Sequence, residues 1–133
     1  MMEKRAPVSP LILVVDDFED SRAMYAEYLG HAGYRVIQAE NGLEAVEKAR
    51  EAQPAVVVMD LSLPVMDGWE ATRMLKQDPR TKDMRVVVLS GHALAGHSRS
   101  AKEAGCDAFL TKPCAPRELL DKLESLLDTH PSR

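Results

Sequence analysis

Three runs along the chain are apolar without interruption: LILVV (11–15), VVVM (56–59) and VVVL (86–89). None shows the polar alternation of a half-exposed strand, so both faces of each are expected to be covered, as in the central strands of a parallel sheet. The first run is followed by Asp16 and Asp17, the second by Asp60, and the third by Ser90 and Gly91. Two further runs, RVIQ (35–38) and AFLT (108–111), carry polar residues, as edge strands do.

Helical stretches separate these runs. The first spans about Glu19 to His31 and stops near Gly33. Asn41 is placed to cap a second helix reaching about Ala52, with Val46 and Ala49 on its buried side. A third begins near Asp67 and ends before Pro79, and a fourth covers roughly Leu94 to Ala104, ending at Gly105. The fifth starts near Pro116, a good first-turn residue, and puts Leu119, Leu120, Leu123, Leu126 and Leu127 on one stripe. Five strand–helix units predict an α/β domain with helices on both faces of the sheet. Right-handed crossovers and the three fully apolar strands fit the order 2-1-3-4-5, with the site at the carboxyl ends of strands one and three.

Composition excludes several classes. The 133 residues suit one domain, and 45% apolar with 29% charged residues is an ordinary balance for a soluble protein. A net charge of −4 argues against direct nucleic-acid binding, which needs a concentrated basic face. No run approaches the ~18 apolar residues of a membrane span. The N-terminal MMEKRAPVSP has no apolar signal core, so a cytoplasmic location without membrane contact is expected. Cys106 and Cys114 have neither metal-motif spacing nor disulfide density and read as reduced thiols.

The strand order gathers Asp16, Asp17, Asp60 and Lys112 at one end of the sheet. Two carboxylates 4 Å apart repel by about 4 kcal/mol at an effective dielectric of 20, so three of them require a cation, raised pKa values or both. Lys112 offsets one charge. A hard divalent ion with oxygen ligands, such as Mg²⁺, suits the remainder. Singly, an aspartate after a strand is usually a cap or turn residue, and a lysine before proline is usually solvated. Their convergence carries the reading.

The segments VVDDFED, VVVMDLSLPVMDG, VVVLSG and AFLTKP, in that order and at those intervals, resemble the receiver domains of bacterial response regulators, including stand-alone chemotaxis regulators. The likeness spans about residues 9–128, leaving 1–8 as an extension and 129–133 as a tail. It implies a flavodoxin-like (βα)5 fold and a phosphoaspartate switch in a two-component phosphorelay, rather than an enzyme in the ordinary sense. Residue by residue, it implies Asp60 as phosphoacceptor and Asp17 as a direct ligand of Mg²⁺ or Mn²⁺. Asp16 would act through metal-bound water, and the backbone carbonyl of Ser62 would complete the coordination. Lys112 and Ser90 would each hold a phosphoryl oxygen, Phe109 would be the switch aromatic, and Ser62 and His92 would rim the pocket. The Lys112–Pro113 bond is expected to be cis. The implied phosphodonor is a sensor histidine kinase or a phosphotransfer protein.

Output is expected along the edge made by the fourth helix, strand five and the fifth helix, where a downstream protein or a second copy would bind. Gly96 and Ser98 weaken the start of that fourth helix, since glycine alone costs about 1 kcal/mol relative to alanine. Rival readings fit less well. A haloacid-dehalogenase-type hydrolase needs a second aspartate where Ser62 stands, and a flavodoxin phosphate loop is incompatible with DDFED. A pseudo-receiver that only docks would not need the full acidic set. The sequence leaves no room for an output domain, so either a stand-alone receiver or a piece of a hybrid kinase or longer regulator is expected.

Overall fold

Parallel pairing arranges five strands in the order β2-β1-β3-β4-β5 in a computed structural model that describes residues 10–61, 66–91 and 104–128. The strands are β1 (Leu11–Val15), β2 (Arg35–Ala39), β3 (Val56–Asp60), β4 (Arg85–Ser90) and β5 (Ala108–Thr111). Between and after them lie α1 (Glu19–His31), α2 (Gly42–Ala52), α3 (Gly68–Gln77) and α4 (Pro116–Asp128), the last being the fifth helix expected from sequence. The strand order and the edge positions of β2 and β5 match the expectation. The fourth expected helix, with Gly96 and Ser98, lies outside the described residues. So do Ser62, His92, the 1–8 extension and the 129–133 tail.

Period-two alternation along the strands divides the core in two. Leu13, Val15, Val57, Met59, Val86 and Val88 point to one face and pack with Val46 and Ala49 of α2 and Ala71 and Leu75 of α3. Ile12, Val14, Val56, Val58, Val87 and Leu89 point to the other and pack with Tyr25 and Leu29 of α1 and Leu119 and Leu123 of α4. Because both faces of β1, β3 and β4 are covered, their sequences need no polar positions.

Local chemistry sets the helix ends. The Asn41 side chain accepts the Glu44 N–H at 2.8 Å, and the Glu44 carboxylate accepts the Glu40 N–H at 2.7 Å. Asp67 caps α3 by accepting the Glu70 N–H at 2.9 Å. After α1 the chain turns through Gly33 at φ +105, a conformation that costs glycine little. The short edge strand β5 is anchored at its start by Asp107, whose carboxylate accepts the Val86 N–H at 2.7 Å and the Lys76 ammonium at 2.8 Å.

Candidate functional site

Strand β1 pairs with β3 through Val15 and Met59, so the residues that follow, Asp16 and Asp60, emerge side by side. Asp60 is the last residue of β3 rather than the first of a loop, and Ser90 likewise closes β4. One carboxylate oxygen from each of Asp16, Asp17 and Asp60 lies within 4.8 Å of the other two. Asp16 and Asp60 are buried, while Asp17 is exposed at the mouth. From beyond β5, Lys112 brings its Nζ to 3.3 Å from Asp60 Oδ2 and 3.7 Å from Asp16 Oδ2.

One ammonium against three carboxylates, two of them buried, leaves an excess of negative charge. Asp16 shows where a cation fits. Its Oδ1 accepts the Phe18 N–H at 2.9 Å, but its buried Oδ2 has no hydrogen-bond partner. Lys112, at 3.7 Å, is beyond hydrogen-bond reach of that oxygen. A buried carboxylate oxygen with an unused acceptor face, in an all-oxygen donor set, suits a hard divalent ion such as Mg²⁺.

Ser90 is buried at the end of β4 and pairs in register with Thr111. The Lys112 N–H donates to the Ser90 carbonyl at 2.6 Å, and the Lys112–Pro113 bond is cis, as expected. Phe109 sits opposite Val88 and is half-buried against the α2/α3 side of the core. Its ring centroid is 6.2 Å from that of Trp69, with the planes inclined by 36°. Ser90 and Phe109 therefore share the face that carries α2 and α3. Asp60, in phase with Val56 and Val58, belongs to the other.

Three supports escaped the sequence reading. A Cβ on Gly68 would lie 2.4 Å from the Asp60 carbonyl oxygen, so only glycine lets α3 start against the backbone of Asp60. Arg22 and Tyr25 on α1 reach the two sides of the acidic recess, Arg22 at the Asp16 carbonyl and Tyr25 at the Cys114 carbonyl. A glycine directly after the capping Asp67 was a legible signal for the first. Nothing in the sequence marks a polar residue on a helix as aimed inward. The thiols of Cys106 and Cys114 are both free, and burial pushes both pKa values up, in line with inert reduced cysteines.

A family model described as "response regulator receiver domain" matches residues 12–124. The chain belongs to this family. Among the receiver-family proteins it resembles is the polar-differentiation response regulator DivK of Brucella anthropi, 30% identical over 116 residues covering 87% of this chain and 94% of DivK. The chemotaxis protein CheY4 of Vibrio cholerae superposes with a TM-score of 0.84 at 31% identity, covering 88% of this chain and 98% of CheY4. The receiver domain of the sensor histidine kinase PA1611 from Pseudomonas aeruginosa, solved with a magnesium ion coordinated in its active-site cleft, superposes at 0.81 with 30% identity, covering 88% of this chain and 96% of that one. The chain is thus a receiver domain of two-component signalling, and its acidic recess is compatible with a phosphoacceptor site.

Proposed function

We propose that this receiver domain accepts a phosphoryl group on Asp60 and passes the resulting change to a partner through Ser90 and Phe109. The observation that carries the reading is the position of Lys112, 3.3 Å from Asp60 on the same side as the carboxylates of Asp16 and Asp17. Asp60 needs no general base, because a carboxylate is already ionised at neutral pH and phosphoryl transfer depends on positioning and on charge at the equatorial oxygens. Lys112 supplies fixed positive charge beside the nucleophile, and Ser90 supplies a hydroxyl donor from the neighbouring strand end. Asp16, Asp17, Asp60 and the Ser62 carbonyl are the groups that would hold Mg²⁺ or Mn²⁺. When bound, the ion neutralises the acids and developing phosphoryl charge.

The phosphodonor is a sensor histidine kinase or phosphotransfer protein, and the protein is a switch rather than an enzyme with turnover. Its receiver unit spans 9–128, with Ser62 and His92 on the pocket rim. The output surface is the β5 edge with α4 and the segment before β5, open to a downstream protein or a second copy. No nucleic acid is read directly. We place the protein in the cytoplasm, and among the described residues no helix is long and apolar enough to cross a membrane.

Incubation with acetyl phosphate and Mg²⁺ tests the reading by intact mass. One base-labile phosphoryl group is expected on the wild type and none on Asp60→Ala. Efficient labelling of that variant at another residue would overturn the assignment.

A further inference from the structure

Helix α1 carries two buried polar side chains, Arg22 and Tyr25, whose hydrogen bonds leave the helix. Three residues apart, they lie on one face. Arg22 Nη1 donates to the Asp16 carbonyl at 2.8 Å, and its Nε donates to the side-chain oxygen of Gln38 at 3.0 Å. The Asp16 N–H in turn donates to the Ala39 carbonyl at 3.1 Å, so the peptide groups on both sides of Asp16 are tied down. The Tyr25 hydroxyl donates to the Cys114 carbonyl at 2.7 Å. Cys114 lies two residues past Lys112, whose own N–H is bonded to Ser90. The segment bearing the ammonium is therefore held by β4 at one point and by α1 at the other.

We propose that Arg22 and Tyr25 are positioning residues, which make α1 a brace between the acidic end of β1 and the lysine beyond β5. The proposal rests on Asp60 being the phosphoacceptor. The fold alone does not call for either group. An apolar side chain would fill the Tyr25 slot without burying a hydroxyl, and a buried guanidinium is expensive unless its donors are used. In both cases the bond that offsets the burial is made to the backbone of the site. The Tyr25 hydroxyl is protonated at neutral pH, as any phenol with a pKa of about 10 or above is, and so acts as the donor to the Cys114 carbonyl. The need for a brace is geometric. Asp16 and Lys112 come from opposite ends of the chain, and a displacement near 1 Å in such a site costs up to about 100-fold in rate.

The two arms of the brace serve different groups, which gives the test its discrimination. Arg22 acts on an acid that would face the metal, and Tyr25 acts on the lysine that would face the phosphoryl group. The variants are Arg22→Lys and Tyr25→Phe, which keep charge and ring respectively. Three quantities are measured: the Mg²⁺ dissociation constant by amide NMR titration, the rate of Asp60 labelling by acetyl phosphate at saturating Mg²⁺, and hydrogen exchange at the Lys112 amide in metal-free protein.

Arg22→Lys is expected to weaken Mg²⁺ binding about tenfold, as loss of an outer hydrogen-bond partner does. Tyr25→Phe is expected to leave that constant unchanged, to lower the saturated rate about tenfold, and to speed exchange at Lys112. Should Arg22→Lys fail to fold, Gln38→Met releases the same guanidinium from the exposed edge strand and is expected to weaken Mg²⁺ binding in the same direction. Wild-type values for all three quantities in both variants would overturn the brace, as would parallel loss of metal binding and rate in each. Absence of label on wild-type Asp60 would instead bring down the phosphoacceptor reading, with the metal and exchange measurements still judging the brace.

Discussion

Lys112 and Ser90 are joined through the backbone, the Lys112 N–H donating to the Ser90 carbonyl at 2.6 Å. The hydroxyl proposed to sense the phosphoryl group and the ammonium proposed to hold it therefore move as neighbours. Ser90→Ala keeps the backbone bond and removes only the hydroxyl. The variant is expected to accept the phosphoryl group on Asp60 but to transmit less of its effect to Phe109. The protein has one tryptophan, and Trp69 lies 6.2 Å from the Phe109 ring, so its emission reads that environment directly. An equal change in Trp69 fluorescence on phosphorylation of variant and wild type would remove Ser90 from the relay.

Asp17→Asn separates charge from shape. Asp17 is the exposed member of the acidic trio and is proposed as a metal ligand, so the variant should lose most of its Mg²⁺ affinity. Without metal it should melt higher, because one of three crowded negative charges is gone. Relief of about 0.5–1 kcal/mol corresponds to roughly 2–4 °C for a domain of this size. A lower melting temperature of the metal-free variant would contradict the crowded-acid picture.

Gly68→Ala should damage stability and site together. The added methyl would meet the Asp60 carbonyl oxygen at 2.4 Å and the Leu61 Cα at 2.9 Å, backbone atoms that have no rotamer to escape into. A loss of about 1–3 kcal/mol is expected, the usual cost of overpacking. Phosphorylation should slow as well, since α3 must back away from Asp60. Gly30→Ala is the control: nothing lies within 4 Å of its Cβ, and a helical alanine there should stabilise by about 0.5–1 kcal/mol. Urea titrations of both variants check the pair, and equal behaviour would refute the packing argument.

Alkali should find Tyr25. Burial, with smaller contributions from Cys114, Asp16 and Asp60, raises its pKa from 10 to about 12. The unfolded chain gives up this proton first, so the associated stability is complete below pH 10 and is lost as pH rises toward 12. Tyr25→Phe lacks this loss. Chemical denaturation across that range should therefore show the stability of wild type falling relative to that of Tyr25→Phe as pH increases. A constant difference would mean that the hydroxyl titrates normally.

The strands were legible because burial on both faces leaves an unbroken apolar record, and LILVV, VVVM and VVVL could hardly be anything else. Edge strands follow the same logic with polar interruptions, which is why RVIQ and AFLT took their places at β2 and β5. The acids and Lys112 were legible through order and interval, since strand ends are predictable once the strands are. Arg22 and Tyr25 were not. Their importance lies in hydrogen bonds to main-chain carbonyls, which carry no side-chain identity for a pattern to register. Gly68 falls between, as its neighbour Asp67 announces a helix start but not how closely that start approaches β3. Strand ends also ran one residue longer than apolar character suggested, because backbone pairing continues through Asp60 and Ser90 regardless of polarity.

The alternation of the strands has a consequence for how this protein can be altered. Asp60 is in phase with the residues that pack on α1 and α4, whereas Ser90 and Phe109 are in phase with those that pack on α2 and α3. On the proposed roles, the sheet sets the side chain that is written upon and the side chains that report it in phase with opposite faces. Substitutions beneath α1 should change how quickly the protein is written upon. Those around Val88, Phe109 and Trp69 should change what a reader makes of it, and the two kinds of change can be combined in one molecule without contending for the same space.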